Sequence, residues 1–541
     1  MSDWRIADIW EAIAAARPER PALIQGERVV NWGAFDARAD ALAADLLAAG
    51  LGRQAKVAAY LYNGPEYVET YFAGFKAGLV PVNTNYRYGP DELVYLFDNA
   101  DAEAVVFHAG FAETLERIRP RLPKVKRWIA VAEPGFAAPE WAADYETVVA
   151  RPPAQRPVQA PWGRSGEDMM FLYTGGTTGM PKGVMWRQQD LFSVIGAGGH
   201  AVRMIPPLTS VDEVGPRALS DMVPPTTLVA CPLMHGTGQF SAFITLNIGG
   251  AVAVLPSRKF DPIELWDEVV RLQADNIVIV GLAFSTPMLE ALEAEPGRWD
   301  LSCVRVMSSS GSMWSYENKK GLLSHCTNAV ILDSFGSSEA VGLGSSASAP
   351  GQEAQTAAFA LGPNCVVFTE DGRRVEPGSG ERGMVAVTGF LPMGYYKDEE
   401  KTARTFKTIE GKRWSVPGDW AEVNADGTLK LLGRGSQCIN TGGEKVFPEE
   451  VEEALKTHPM VRDAVVVGLP DPRFGERICA VVEPVPGAAL TLPELSAHVR
   501  DQLAGYKAPR ELVLVDSVGR APNGKVDYAA SKARAMAELA G

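Results

Sequence analysis

The eleven residues YTGGTTGMPKG, Tyr173 to Gly183, place four glycines, three threonines, a proline and a lysine between the apolar runs MMFL and VMW. Backbone N–H groups that no side chain crowds, with hydroxyls and one ammonium beside them, make a cradle for phosphate oxygens. An exposed turn needs only one or two such residues. The stretch therefore points to a nucleoside triphosphate. It is not a Walker A loop, which requires Gly, four residues, then Gly-Lys-Ser/Thr, because Lys182 follows Pro181. A near miss, GRAPNGKV from Gly519 to Val526, lies between strand-like ELVLVD and helix-like DYAASKARAMAEL. There Val526 stands where a hydroxyl would hold Mg²⁺. A Gly-x-Gly-x-x-Ala at Gly342 to Ala347 follows no strand pattern and sits in no βαβ unit, which argues against a dinucleotide site. Two glycine-and-lysine loops, far apart in sequence, need a joint explanation.

The elements that must position these loops alternate between strand-like and helical patterns. AKVAAYLY, LVPVN, AEAVVF, GAVAVLP, NIVIVG and NAVILD read as strands, and YVETYFAGFKAG as a helix. That alternation predicts an α/β fold with largely parallel sheets flanked by helices. A Pro- and Ala-rich stretch, roughly 133 to 164, reads as a connection to the strand MMFLYT. The segments 205 to 227 and 345 to 358 are long enough to suspect lids or substrate-facing insertions. An Asp-Gly turn in AEV-NADG-TLKLL closes a meander, and beyond it Pro448 opens a helix acidic at its start and basic at its end. We therefore expect a break at about residue 434, giving a large N-terminal body, 1–433, and a small α+β C-terminal cap, 434–541, that moves during the reaction. A site assembled in the cleft between them would use both loops.

Composition narrows the function. The chain has 541 residues with 52 Lys plus Arg against 66 Asp plus Glu, a net charge of −14. A surface of that sign repels nucleic acid and anionic membrane, so an anionic ligand needs local positive groups. Six cysteines follow no C-x-x-C spacing, which favours free thiols over disulfides or zinc. No secretory signal is visible, and the longest strongly apolar run, 277 to 284, is too short to span a bilayer. A cytoplasmic protein without integral membrane association is expected, with self-association as a homodimer left open.

Six ordered stretches together resemble the adenylate-forming family of acyl-CoA synthetases, which also includes firefly luciferases and peptide-synthetase adenylation domains. They are YTGGTTGMPKG (173–183), PLMHGTG (232–238), DSFGSSEA (333–340), PGDW (417–420), GRGSQCINTGGEKVFPEEVE (434–453) and PNGKVD (522–527). The resemblance covers nearly the whole chain. It implies that a carboxylate attacks the α-phosphate of ATP to give an acyl-adenylate and pyrophosphate, after which the thiol of coenzyme A displaces AMP. Charge growing on the phosphates then calls for N–H donors, cations and Mg²⁺.

By the same resemblance, Thr174, Gly175, Gly176, Thr177, Thr178, Gly179 and Lys182 would receive the phosphates. Glu339, with Thr178, would hold Mg²⁺. Lys525 would bridge the substrate carboxylate and the α-phosphate, which accounts for a Gly-Lys loop lacking a P-loop hydroxyl. His235 would lie near the acyl carbonyl. Phe335 would stack on adenine with Asp333 near its exocyclic amine, and Gly311, Ser334, Gly336 and Ser338 would complete that region. Asp419 would accept from the ribose hydroxyls, Arg434 would donate to the same nucleotide, and Gly443 with Lys445 would line the path of coenzyme A.

Several positions depart from the common pattern: Ser436 at the hinge, Phe335 for Tyr, Ser338 for Thr and Gly175 for Ser. None removes a charge that the chemistry needs. The stretches 228–243 and 306–315 mix Met, Phe, Ser and Gly without a lysine or arginine, which suits a roomy, mostly apolar pocket. The expected substrate is a medium- or long-chain fatty acid or a bulky alicyclic acid such as a steroid side chain. A stand-alone enzyme that acylates a carrier-protein thiol is the alternative.

Overall fold

A computed structural model describes residues 3–174, 180–311, 314–351, 358–434, 437, 439–441, 444–471, 475–503, 505–521 and 524–540. The chain forms two compact units. One comprises Met1–Ile279, Glu295–Ser308 and Phe390–Arg404, and the other Val280–Ala294, Ser309–Gly389 and Thr405–Gly541. The fold is mixed α/β.

The first unit carries the parallel sheets that the alternating pattern predicts. Lys56–Tyr60 lies between Val80–Asn83 and Ala102–His108, parallel to both. Val80–Asn83 in turn pairs in parallel with Met169–Thr174. A second set runs parallel in the order Pro21–Gln25, Ala251–Val254, Thr226–Val229 and Asn276–Ile279. These strands are apolar runs buried on both faces, as parallel strands covered by helices must be. The helix Pro65–Ala77 is buried along its whole length, although it carries Glu66, Glu69 and Lys76. Each charge is paired: Lys76 Nζ lies 2.6 Å from both Glu11 and Asp36 and 3.0 Å from Asp40, and Glu69 takes Arg38 and the Tyr145 hydroxyl at 2.7 Å each. Such pairing is the condition for burying a charge at all.

The second unit is built differently, largely from antiparallel pairs. Val330–Ser337, Ala340–Ser348, Ala358–Leu361, Thr428–Arg434, Asp419–Val423 and Arg382–Val387 follow one another across its sheet, every neighbouring pair antiparallel. The expectation of largely parallel sheets fails here because Gly- and Ser-rich strands such as AVGLGSSAS lack a continuous apolar run. Gly342 to Ala347 lies inside the strand Ala340–Ser348 and forms no turn between a strand and a helix start. Asn424 to Gly427 make the turn between Asp419–Val423 and Thr428–Arg434, as the Asp-Gly signal predicts.

From Ile439 onward a smaller sheet pairs Val461–Asp471 antiparallel with Gly475–Pro484, which is parallel to Glu511–Leu514. Successive side chains of a strand point to opposite faces, and here both faces are buried. Ala464, Val466, Ala480 and Val482 pack with Val451 and Leu455 of the helix Pro448–Lys456. Val465, Val467, Cys479 and Val481 pack with Ala535 of the helix Tyr528–Ala540. The strand and helix signals flanking Lys525 are therefore both realised. Among the described residues no helix is long and apolar enough to cross a membrane.

Candidate active site

In the first unit, Met169–Thr174 and Lys182–Arg187 run antiparallel with Thr174 directly opposite Lys182. The glycine-rich segment thus leaves and rejoins the sheet at one point, with both side chains half-buried at its base. Gly175, Gly176, Thr177, Thr178 and Gly179 lie outside the described residues. A Cβ at Gly183 would stand 2.6 Å from the Tyr173 ring, so only glycine fits beneath it. The Tyr173 hydroxyl donates to Asn99 Oδ1 at 2.6 Å, and burial raises its pKa well above the ordinary phenol value. The Lys182 ammonium donates to Asp398 Oδ2 at 2.5 Å. Asp398 also accepts the Lys401 N–H at 2.9 Å, capping the helix Glu399–Thr405. These contacts, Lys182 foremost, hold the Asp398 carboxyl below its ordinary value.

One buried amide ties this strand to the PLMHGTG stretch. Asn83 Nδ2 donates to the carbonyls of Tyr173 at 2.8 Å and Met234 at 2.7 Å, and its Oδ1 accepts the Tyr173 N–H at 2.6 Å. Asn63 holds the start of the same motif, donating to Cys231 O at 3.0 Å and accepting Leu233 N–H at 2.8 Å. His235 follows at the N-cap of the helix Gly236–Asn247 and is half-buried. A Cβ at Gly238 would lie 2.5 Å from the Pro232 carbonyl, which explains a glycine inside that helix despite its low propensity. Burial pushes the Cys231 thiol up to about 12, so it is no nucleophile at neutral pH.

In the second unit, Ser337 pairs with Ala340, leaving Ser338 and Glu339 as the two-residue turn of a hairpin. A register shift between Phe335 and Ser337 puts a bulge at Gly336, a device that re-aims neighbouring side chains. Glu339 is half-buried, and its carbonyl accepts the Ser415 hydroxyl at 2.7 Å. On the adjoining strand the Phe335 ring lies 5.8 Å from that of Phe359, tilted by 44°. Ser334 is exposed, whereas Asp333 is buried and accepts the Lys319 ammonium at 2.7 Å. Lys319 is itself 1% exposed. Burial raises the Asp333 pKa against the opposing pull of Lys319. Gly311 stands at φ +84° after the strand Val306–Ser310.

Asp419 and Arg434 are direct partners across the antiparallel pair Asp419–Val423 and Thr428–Arg434, with Asp419 buried. The two residues expected at one ribose are thus set side by side by strand register. Lys445 lies in the strand Glu444–Val446 opposite Asn440, and Gly443 falls outside the described residues. Lys525 is exposed, and its carbonyl accepts the Ala521 N–H at 2.9 Å.

Residues 10–396 match the AMP-binding enzyme family, and residues 450–525 match the AMP-binding enzyme C-terminal domain. The chain belongs to the AMP-binding enzyme family. Among AMP-binding enzymes it is 41% identical to a medium/long-chain-fatty-acid–CoA/3-oxocholest-4-en-26-oate–CoA ligase of Mycolicibacterium smegmatis, covering 97% of this chain and 95% of the relative. It is also 41% identical to a 3-oxocholest-4-en-26-oate–CoA ligase of Rhodococcus rhodochrous, covering 97% and 94%. The same fold occurs in the anthranilate CoA ligase AuaEII, at 21% identity and TM-score 0.83 over 99% of this chain and 98% of that one.

As an AMP-binding enzyme, the chain carries supporting residues that the motifs do not announce. Asn83, Asn63, Asp398 and Ser415 each contact a motif from a distant point in sequence, and Lys319 does so from 14 residues away. Asn83 and Met234 are 151 positions apart. The only sequence signal was a polar residue closing the apolar strand VPVN, and that pattern does not say what the amide binds.

Proposed function

We infer that this AMP-forming acid–thiol ligase activates an apolar carboxylic acid, either a medium- or long-chain fatty acid or a bulky alicyclic acid. The acyl-adenylate is then passed to coenzyme A. The observation that carries the substrate class is the identity of 41% over nearly the full length of two relatives named for such acids. The absence of lysine and arginine from 228–243 and 306–315 agrees, since no fixed positive charge there would pair with a second substrate charge.

In the first half-reaction Thr174, Lys182 and the loop between them take the phosphate oxygens of ATP, Lys182 as a binding contact and the loop donors offsetting charge as pyrophosphate departs. Lys525 bridges the attacking carboxylate and the α-phosphate. Phe335 offers a face to adenine, Asp333 accepts from its amine, and Asp419 accepts from the ribose with Arg434 donating nearby. Magnesium fits the donors: Glu339 is a hard oxygen ligand on a turn fixed by Ser415. Among the described residues no three His, Cys, Asp or Glu side chains gather to cage a metal. A sparse protein ligand set is typical of an ion held mainly by phosphates and water. Glu339 and Thr178 would hold it, and when bound it neutralises phosphate charge. In the second half-reaction Gly443 and Lys445 flank the entry of the pantetheine thiol.

We place the functional boundary between residues 433 and 434, supported by the sheet and cores that form from Ile439 onward. A cytoplasmic setting belongs to the same proposal and is supported by the five described cysteines, all free thiols. A panel of carboxylic acids scored by pyrophosphate release, with and without coenzyme A, tests the whole. Turnover with C8 to C18 or steroid side-chain acids, dependent on coenzyme A, is expected. Adenylation that never yields an acyl-CoA but acylates a carrier-protein phosphopantetheine would move the enzyme to the alternative class.

A further inference from the structure

The Lys525 loop is held by groups that none of the six motif roles includes. Arg520 is mostly buried and grips Asp463 with two nitrogens, Nε to Oδ2 at 2.5 Å and Nη2 to Oδ1 at 2.8 Å. Its remaining nitrogen, Nη1, donates to Gly524 O at 3.3 Å, the carbonyl immediately before Lys525. The next residue, Ala521, donates its N–H to Lys525 O at 2.9 Å, and Gly524 N–H returns to Ala521 O at 2.7 Å. Asp463 itself lies near the start of the strand Val461–Asp471 and also accepts the Ala464 N–H at 2.8 Å. The peptide bond that carries Lys525 is thereby referenced to a core strand through one planar guanidinium.

Burial works against the Arg520 charge, and the hydrogen bonds and charge of Asp463, together with Glu452 and Tyr528, outweigh it. The fork geometry matters: a guanidinium can make parallel bonds to a carboxylate and still present a donor elsewhere, which an ammonium cannot do in the same orientation. We propose that Arg520, held by Asp463, is a positioning residue for adenylation, setting the main chain from which Lys525 reaches the reacting phosphate. This rests on the role of Lys525 given above. Arg520 touches no substrate; it acts through Lys525. A displacement of about 1 Å at a reacting group can cost on the order of 10²-fold in rate.

The test compares Arg520→Gln, Arg520→Lys, Lys525→Ala and the double variant Arg520→Gln/Lys525→Ala in the full-length enzyme. Adenylation is read by ATP–pyrophosphate exchange with decanoic acid. The second half-reaction is read as thioester formation from supplied decanoyl-adenylate and coenzyme A, and thermal unfolding is followed for each variant. Arg520→Gln is expected to slow adenylation by roughly 10- to 100-fold while thioester formation stays within about 3-fold. Arg520→Lys, which keeps the buried charge opposite Asp463 but loses the fork, should show the same selective loss with less change in unfolding temperature. The double variant should be no slower in adenylation than Lys525→Ala alone, because residues acting as a unit are non-additive. Losses that multiply in the double variant, or that fall equally on both half-reactions, overturn the proposal. Lys525→Ala with unimpaired adenylation overturns the role of Lys525 itself, and with it the role of Arg520.

Discussion

The two lysines to which we assign roles in ATP chemistry are described by different contacts. Lys182 has its ammonium engaged, 2.5 Å from Asp398, at the base of a hairpin loop in the first unit. Lys525 in the second unit has an exposed side chain, and it is its backbone that is fixed, through Ala521 and the Arg520–Asp463 pair. A tied head with a rigid strand below suits a group that binds ground-state phosphate. A lysine whose main chain is fixed in a loop suits a group that must meet a charge arising only in the transition state.

The contrast breaks most visibly at Lys525. Lys525→Ala should slow adenylation by roughly 10²- to 10³-fold, the scale for losing one charge-stabilising donor at a reacting centre. Thioester formation from supplied acyl-adenylate should change far less, and pyrophosphate exchange against thioester assays separates the two. Glu339→Gln comes next, with a loss of roughly 10²-fold in adenylation, about 2.7 kcal/mol at 1.36 kcal/mol per tenfold. The concentration of Mg²⁺ for half-maximal exchange should rise with it, and an unchanged magnesium titration would assign Glu339 to the hairpin alone.

Lys182→Ala is expected to raise the KM for ATP about tenfold with little change in kcat, as for the loss of one charge-assisted hydrogen bond in uniform binding. A fall in kcat as large as that of Lys525→Ala would erase the distinction between the lysines. The smallest effect belongs to Asp398→Asn, which relieves the competition for Lys182. Both side chains of that pair are partly exposed, so its worth is small, and the KM for ATP should fall by about 2- to 5-fold. Lys182 keeps the Asp398 carboxyl below its ordinary value, so the pair is intact above the usual carboxylate range and lost only as pH falls through the lowered pKa. The ratio of variant to wild-type KM should therefore be flat from about pH 6 to 9.

The sequence made the chemistry legible where one stretch contains its own explanation. The strand Met169–Thr174 before the glycine-rich segment, the turn at Asn424 to Gly427 and the strand and helix flanking Lys525 all follow from local composition. The antiparallel build of the second unit was not legible. Beyond the meander closed at Asn424 to Gly427, the strand Ala340–Ser348 holds too many Gly and Ser residues to show a burial period, and pairing is decided by partners far along the chain, as when Ala358–Leu361 pairs with Thr428–Arg434. The supporting residues escaped for the same reason. Lys319 looks like one of two surface lysines in ENKKGLL until the fold buries it against Asp333.

The Asn83 amide bears on how this enzyme can be retargeted. Because it accepts from and donates to Tyr173 while donating to Met234, the PLMHGTG stretch and the strand Met169–Thr174, to which we assign the acyl and phosphate sides, share a single reference point. Transplanting residues 232–238 from a ligase with other substrate preferences would transmit any change in the path of that segment straight to the triphosphate side. A graft that preserves turnover has to carry the matching residues at 63 and 83 along with the motif, so the smallest exchangeable cassette is discontinuous.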